Sequence, residues 1–481
     1  MSIAHHDDRQ SPGATFAVLG TGAMAYVLLQ SLVVPALPTL QAALHTSEST
    51  VSWLLTAYLL SASVATPVLG RLGDMFGKER MLVIVLAALT AGSLIAALTS
   101  SIAVMIAART LQGLGGAVFP LAFGIIRDEF PRERVPAAIG GISTLLGVGG
   151  GLGIVLAGPI VDNLNYHWLF WIPLVMTALA TVATFLFVPE SPVKTAGTVN
   201  LGAAVLLSGW LVALLLGVSE GSMWGWSSAR IIALFAAAIV LFAAWVAVEL
   251  RTRMPLVDVR LMRTPVVWWT NVSALLFGFG MYSMMVVLPE FMEAPKAAGY
   301  GFGASVTAAG LAMLPATAAM IVIGTAIGRI TAAVGSKVPL VVGGLVGGAA
   351  FAWLAAAHTA VWQVYVALGL AGLGMGLAFS AMTNLIVEAV PRTHTGVATG
   401  MNANIRTVGG AIGSQVVISV ITTGVAAGTL PHERGYVLSF LVMAVGLAAA
   451  GVAAVFVPGA LHRARMEPAA LESSEPLIER V

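Results

Sequence analysis

Apolar runs of about twenty residues follow one another along nearly the whole chain, each closed by a short break that is charged or rich in Gly, Pro and Ser. One helix needs about that length to cross the hydrocarbon core of a bilayer, because a rise of about 1.5 Å per residue must span about 30 Å. Cutting the chain at the breaks predicts helices near 14–40, 50–69, 81–99, 102–126, 137–160, 166–188, 200–218 and 230–249. Six more are predicted near 266–291, 304–327, 338–357, 361–387, 396–425 and 434–457, which makes fourteen. The pattern describes an all-α polytopic membrane protein.

Composition agrees with that reading and removes competitors. Of 481 residues 58% are hydrophobic and only 9% charged, where a soluble protein carries about a quarter of its residues as charges. Cysteine is absent, so no disulfide framework, thiolate metal site or cysteine nucleophile can form. The net charge of +2 is spread over many breaks and leaves no nucleic-acid footprint. Eight histidines occur without metal-ligand spacing or a nucleophile–base constellation, so neither a metal site nor an enzyme is expected. Residues 1–13 are polar, and the first apolar run is too long for a secretory signal, so it is expected to stay as a helix.

Charge in the breaks fixes an orientation. Eighteen Lys and Arg residues fall on the side that carries the termini (Arg9; Arg71, Lys78, Arg80; Arg127, Arg132, Arg134; Lys194; Arg251, Arg253, Arg260, Arg263; Arg329, Lys337; Arg392; Arg463, Arg465, Arg480). Only Arg230, Lys296 and Arg434 fall on the other. Basic loops stay inside, so a multi-pass protein of the cell (inner) membrane with both termini cytoplasmic is expected.

The chain also repeats itself. "FPRERVPAAIGGISTLLGVGGGLG" (130–153) aligns with "VPRTHTGVATGMNANIRTVGGAIG" (390–413), superposing Pro131, Arg132, Gly140, Gly149, Gly150 and Gly153 on residues 260 positions later. "GRLGDMFG" (70–77) matches "GRITAAVG" (328–335) at an offset of 258. Six helices per copy, with two between them, is the arithmetic of parallel repeats about an axis along the membrane normal, as in rocking transporters. The expected division is a cytoplasmic N-terminus 1–13, a six-helix bundle 14–190, two inserted helices 191–255, a second six-helix bundle 256–457 and a cytoplasmic tail 458–481.

"GRLGDMFGKERM" (70–81) packs Arg71, Asp74, Lys78, Glu79 and Arg80 into one break of a chain otherwise poor in charge. It resembles the loop motif of the major facilitator superfamily. "RTLQGLGGAVFP" (109–120) is similar to that family's fourth-helix motif, and "GVGGGLGIVLAGPIVD" (147–162) to the fifth-helix motif associated with its antiporters. With fourteen spans the chain resembles the drug:proton antiporter subfamily. The resemblance implies two six-helix bundles plus two extra helices, no cofactor, and a proton gradient as the energy source. It implies as partners a small-molecule substrate, protons and membrane lipids, with no nucleic acid, for a protein expected to work as a monomer.

Candidate residues follow, each with a plainer rival. Gly70, Arg71, Asp74, Gly77, Lys78 and Arg80 can form a conformational latch at the seam between halves, with glycines allowing a tight reversal and Asp74 accepting bonds from helix N-termini or pairing with an Arg. Basic loops that merely hold topology are the rival. A cation inside an apolar span faces a cavity or a partner. Arg109 is such a cation, and the resemblance implies a part for it in proton coupling; a structural arginine on helix-end carbonyls is the alternative. Gly149, Gly153 and Gly158 with Pro159 are expected to form one small-residue face of the fifth helix, by resemblance the antiporter hinge and seal, otherwise ordinary glycine packing. The subfamily's first-helix acid is missing, because Leu29 stands in its place. Glu290 is then the acid expected to carry the proton, against the reading of an interfacial carboxylate. Gln30, Asn271, Asn384, Asn402 and Arg406 are expected to line the substrate cavity, with methionines 281, 284, 285 and 382 as adaptable walls. The expected function is proton-coupled export of hydrophobic or cationic small molecules (multidrug efflux) by alternating access. Narrow export of one endogenous metabolite is the alternative, while a non-transporting sensor lacks a soluble domain through which to signal.

Overall fold

Backbone groups inside a bilayer have no water to bond, so a chain this apolar must satisfy them within its own helices. The computed structural model, which describes residues 12–191, 200–252, 255–423 and 430–458, does so with fourteen helices long and apolar enough to cross a membrane. They are α1 Pro12–Ser31, α2 Ser49–Phe76, α3 Lys78–Leu98, α4 Ile102–Glu129, α5 Val135–Asn163, α6 Trp168–Phe187 and α7 Leu201–Ser219. The remainder are α8 Ala229–Arg251, α9 Pro265–Glu293, α10 Thr307–Val334, α11 Lys337–Ala356, α12 Val361–Ala389, α13 Arg392–Thr422 and α14 Glu433–Val455. No strand occurs among the described residues. Arg9, Lys194, Arg253, Arg463, Arg465 and Arg480, and nearly all of the expected terminal segments 1–13 and 458–481, lie outside them.

Several boundaries differ from the sequence-based expectation: the helix predicted at 304–327 runs on to Val334, and two other differences bear on the site. The first predicted helix, 14–40, is two pieces: α1 ends at Ser31, and Val33–Ala43 continues it beyond Leu32. Pro35 cannot donate a backbone amide to the carbonyl of Ser31, so the ladder weakens there. The predicted break at 70–81 is mostly helix. Gly70 and Gly73 lie inside α2, and the whole reversal into α3 is made by Gly77, at φ 119° and ψ 130°. A Cβ there would also run into the Glu190 carboxylate. Gly77→Ala is therefore expected to lower stability by about 1–3 kcal/mol, read as a lower thermal midpoint in detergent.

Packing reproduces the duplication. In the first half α1 packs on α5 and α6, α2 on α4, and α3 on α4 and α6. In the second, α9 packs on α13 and α14, α11 on α12 and α14, and α10 on α12. Gly149 and Gly153 let α5 approach Val27 and Ser31 of α1; their repeat partners Gly409 and Gly413 let α13 approach the backbone of Leu275 and Phe279 on α9. The halves meet where α5 crosses α10 and α12 and where α2 crosses α13. α7 and α8 pack on each other, and Leu207, Trp210 and Leu211 of α7 share an apolar cluster with Val397 and Met401 of α13.

Candidate functional site

Asp74 is 1% exposed near the end of α2. Its Oδ2 accepts the amide of Val397, 3.4 Å away, in the first turn of the regular part of α13, where backbone N–H groups lack partners within the helix. A carboxylate at that position also meets the positive end of the helix dipole. The approach is possible because Gly70 and Gly396 meet backbone to backbone: a Cβ on either would sit 2.8 Å from the other's carbonyl oxygen. The charged partner within ion-pair distance of Asp74 is Lys78 rather than an arginine, with Nζ 3.7 Å from Asp74 and 2.7 Å from Asp128 Oδ2. Ser191 donates to the same Asp128 oxygen. Arg71 is buried in the field of Asp74 and Glu249, and its Nη1 has no hydrogen-bond partner among the described residues. Arg80 is largely exposed and pairs with Glu190 at 3.2 Å. The cluster expected from sequence is thus assembled, with Arg80 at its rim.

The second copy keeps the close approach and loses the Asp74 and Lys78 charges. Gly328 meets Ala137 at the start of α5 as Gly70 meets Gly396, but Ala332 stands where Asp74 would. Ser336 and Glu388 occupy the places of Lys78 and Asp128 and hydrogen-bond at 3.2 Å. Other side-chain bonds reinforce the same end. Arg127 donates to Thr395 Oγ1 and to the Val390 carbonyl, Asn384 to the Pro136 carbonyl, Ser380 to the Gly140 carbonyl and Ser143 to Thr383. Deepest of these is Asn404, which donates to the Ser63 carbonyl at 2.6 Å. All of the hydrogen bonds named here between the two bundles lie in the half of the molecule nearer the 70–81 turn.

The fifth-helix glycines do not share a face. Nine residues at about 100° each put Gly158 about half a turn from Gly149. Gly149 and Gly153 face α1, where Ser31 Oγ donates to the Gly149 carbonyl at 3.1 Å. Gly158, with Gly147 and Gly151, faces α10 across the seam, against Thr307, Met320 and Thr317. Pro159 lies inside the last turns of α5, and its carbonyl accepts from Asn163.

Arg109 is fully buried and held entirely within the first bundle. Nε donates to the Leu54 carbonyl at 3.0 Å, and Nη1 to the Leu29 carbonyl at 3.0 Å and Gln112 Oε1 at 2.9 Å. Its guanidinium lies 4.2 Å from the centre of the Tyr58 ring. Gln112 passes the network on to Ser93. The residue in the place of the missing acid, Leu29, thus meets this arginine through its backbone. Glu290 is in the other bundle, exposed at the far end of α9, where it accepts a bond from Tyr436 at 3.0 Å; the structure does not bring it near Arg109.

Between the bundles lies a cavity of about 260 Å³, lined by Gln30, Ser31, Tyr58, Met281, Tyr282, Met285, Phe379, Arg406 and Ser414 with aliphatic neighbours. A smaller space toward Thr66 and Asn404 shares Gln30, Tyr282 and Arg406 with it. A third, between Thr56, Leu215 of α7 and Thr407, shares Leu59, Tyr282 and Ser414, so α2 and α13 part in the half farther from the 70–81 turn. Gln30 and Arg406 are where the sequence expectation put them. Asn271, Asn384 and Asn402 do not line these spaces: Asn402 donates to Asn271 Oδ1 at 2.9 Å, and Asn384 is bonded to Pro136. All three sit in the half where the helices are in contact, so their amides are used up as pins. Met284 lines a smaller apolar space that shares Met281, Met285 and Phe379 with the central cavity, and Met382 is fully buried. The three tyrosines 26, 58 and 282 around the cavity were missed. Their signal was a phenol placed in the middle of an apolar run, which needs a polar neighbour or a cavity.

Residues 19–414 match the model of the Major Facilitator Superfamily. The multidrug resistance protein Stp of Mycobacterium tuberculosis (strain CDC 1551 / Oshkosh) is 29% identical over 426 residues, covering 87% of this chain and 77% of that one. The tetracenomycin C resistance and export protein of Streptomyces glaucescens is 29% identical over 417 residues, covering 85% and 76%. The crystal structure of the human organic anion transporter MFSD10 (TETRAN) superposes with a TM-score of 0.66 at 16% identity, over 92% of this chain and all of that one, a likeness of fold.

Proposed function

The chain belongs to the major facilitator superfamily, a family of transporters rather than enzymes, and on that premise we propose that it is a proton-driven secondary exporter of hydrophobic small molecules working by alternating access. The observation that carries the reading is the asymmetry of the central cavity. One half of the inter-bundle seam is closed by side-chain hydrogen bonds and the Asp74 cap, while α2 and α13 part in the other. A duplicated pair of bundles meeting on two seams can exchange which end is closed. The names of the relatives, resistance and export proteins, support drug-like substrates. The cationic half of the sequence expectation draws no support from a cavity whose one charged lining residue, among those described, is Arg406.

The excess of basic residues at the 70–81 end supports termini in the cytoplasm and a closed cytoplasmic side in this conformation. Gly70, Arg71, Asp74, Gly77, Lys78 and Arg80 are then the latch, Gly149, Gly153, Gly158 and Pro159 the packing seams of α5, and one chain holds the complete cavity, so a monomer suffices. Glu290, open to the far side, is the acid that takes up the proton there, and Arg109 is the fixed charge of the first bundle.

Everted membrane vesicles with an imposed pH gradient test the reading with a panel of neutral, anionic and cationic fluorescent probes. At least one probe is expected to accumulate only while the gradient stands, with nigericin abolishing the movement and Glu290→Gln reducing it several-fold. Movement that ignores the gradient would make the protein a facilitator instead.

A further inference from the structure

The two arginines buried in apolar spans have opposite surroundings. Arg109 donates to two carbonyls and a glutamine and lies on an aromatic face, with only Nη2 left without a hydrogen-bond partner among the described residues. Arg406, on α13, makes no hydrogen bond or ion pair among the described residues; its one described contact of this kind is the Phe379 ring, 5.1 Å from Cζ. It stands at the junction of the central cavity and the smaller space beside it, partly exposed to both. Among the described residues no Asp or Glu lines either space.

A guanidinium in a low-dielectric site is costly unless it gains a partner, and among the described residues neither a carboxylate nor a carbonyl supplies one. The internal repeat provides a neutral control. The position 260 residues earlier is Leu146, which lines the same two spaces from α5. Packing alone is therefore satisfied by leucine at this place in the bundle, and the arginine adds a charge that packing does not use. Around it Tyr282 offers a hydroxyl and a flat face and Phe379 an aromatic wall, while Tyr58 lines the space with its hydroxyl donated to the Tyr26 carbonyl and one face covered by Arg109.

We propose that the central cavity is an anion site in which Arg406 binds the carboxylate, sulfonate or phenolate of an amphipathic aromatic substrate while Tyr58, Tyr282 and Phe379 hold its apolar body. The proposal rests on the exporter reading for the cavity's purpose and names the substrate class for it. A guanidinium presents paired N–H donors that fit an oxyanion, and in a water-poor cavity such charge-assisted bonds discriminate strongly. An anion leaving the cell as a proton enters moves charge twice in the direction favoured by an inside-negative potential.

The test is a matched pair of probes, 2-naphthoate and 2-naphthylmethylammonium, titrated calorimetrically into the purified full chain in nanodiscs. The anion is expected to bind about tenfold more tightly or better. Arg406→Leu, which installs the residue of the first repeat, and Arg406→Gln are expected to remove that preference with the thermal midpoint unchanged, and Arg406→Lys to keep most of it. Equal or tighter binding of the cation, no anion binding at millimolar probe, or a preference that survives Arg406→Leu overturns the proposal. Gradient-driven movement of a neutral probe in the same variants separates the two readings. Movement without an anion preference leaves the exporter and removes the anion site, and an Arg406-dependent preference without movement does the reverse.

Discussion

Asp74→Asn is expected to abolish turnover while leaving the protein folded in the membrane. Asparagine keeps the shape and still reaches the Val397 amide, so the seam is not disrupted sterically. What disappears is the negative charge that faces the first turn of α13 and pairs with Lys78 at 3.7 Å. A charged acceptor at a helix N-terminus contributes about 0.3–2 kcal/mol, more when buried, and a charge-assisted hydrogen bond about 1.5–3 kcal/mol. A loss on that scale moves a two-state equilibrium by one to two powers of ten away from the conformation closed at the 70–81 end. The second copy cannot compensate, because Ala332 stands in the matching place and Ser336 with Glu388 replaces the Lys78–Asp128 pair. The chain has no cysteine, so Arg132→Cys with Arg392→Cys can carry spin labels with no background to remove. The label–label distances are expected to lengthen in Asp74→Asn and to remain short in Glu79→Gln, a neighbour on the same turn that the seam does not use. An unchanged distribution with lost transport would make Asp74 a proton or substrate group instead of a latch.

How much of this was legible beforehand differs between fold and site for a physical reason. Helices, their number and their duplication follow from rules that act along the chain, namely the span length, the saturation of the backbone and glycine spacing. Whether a polar side chain is available depends on which neighbour reaches it first, and that is set in three dimensions. Asn271 and Asn402 look like cavity residues in sequence and neutralise each other in space. Arg109 and Arg406 are both lone cations in apolar runs, told apart in sequence only by the motif around Arg109, yet one donates to carbonyls and a glutamine and the other faces open space. Gly149 and Gly158 belong to one motif and serve two different interfaces, which counting turns along α5 would have revealed. Gly77 was legible as a turn glycine, but the helices on either side run up to it because Gly70 and Gly73 need no bend.

Arg109→Ala is expected to have the largest effect on stability of any single change considered. Truncation leaves the Leu29 and Leu54 carbonyls and the Gln112 amide oxygen without their donor, opens a void behind Tyr58, and frees three helices of the first bundle from a common anchor. In a bilayer each polar contact is worth less than in a soluble core, because the separated helices also find partners. Three hydrogen bonds, a cation–π contact and a cavity still sum to about 2–4 kcal/mol. The break after Ser31 makes the loss concentrate on α1, since the arginine ties Leu29 just before the helix is interrupted. The measurement is the thermal midpoint of the solubilised protein, paired with gradient-driven transport per folded molecule at low temperature. Arg109→Lys separates the anchor from the charge. One ammonium cannot reach acceptors on α1, α2 and α4 in the directions a planar guanidinium serves, so about half of the stability loss is expected to remain while proton-driven movement persists. A stable Arg109→Ala protein that transports without the gradient would show that the residue acts on coupling alone, and the network around Leu29 would then be incidental to it.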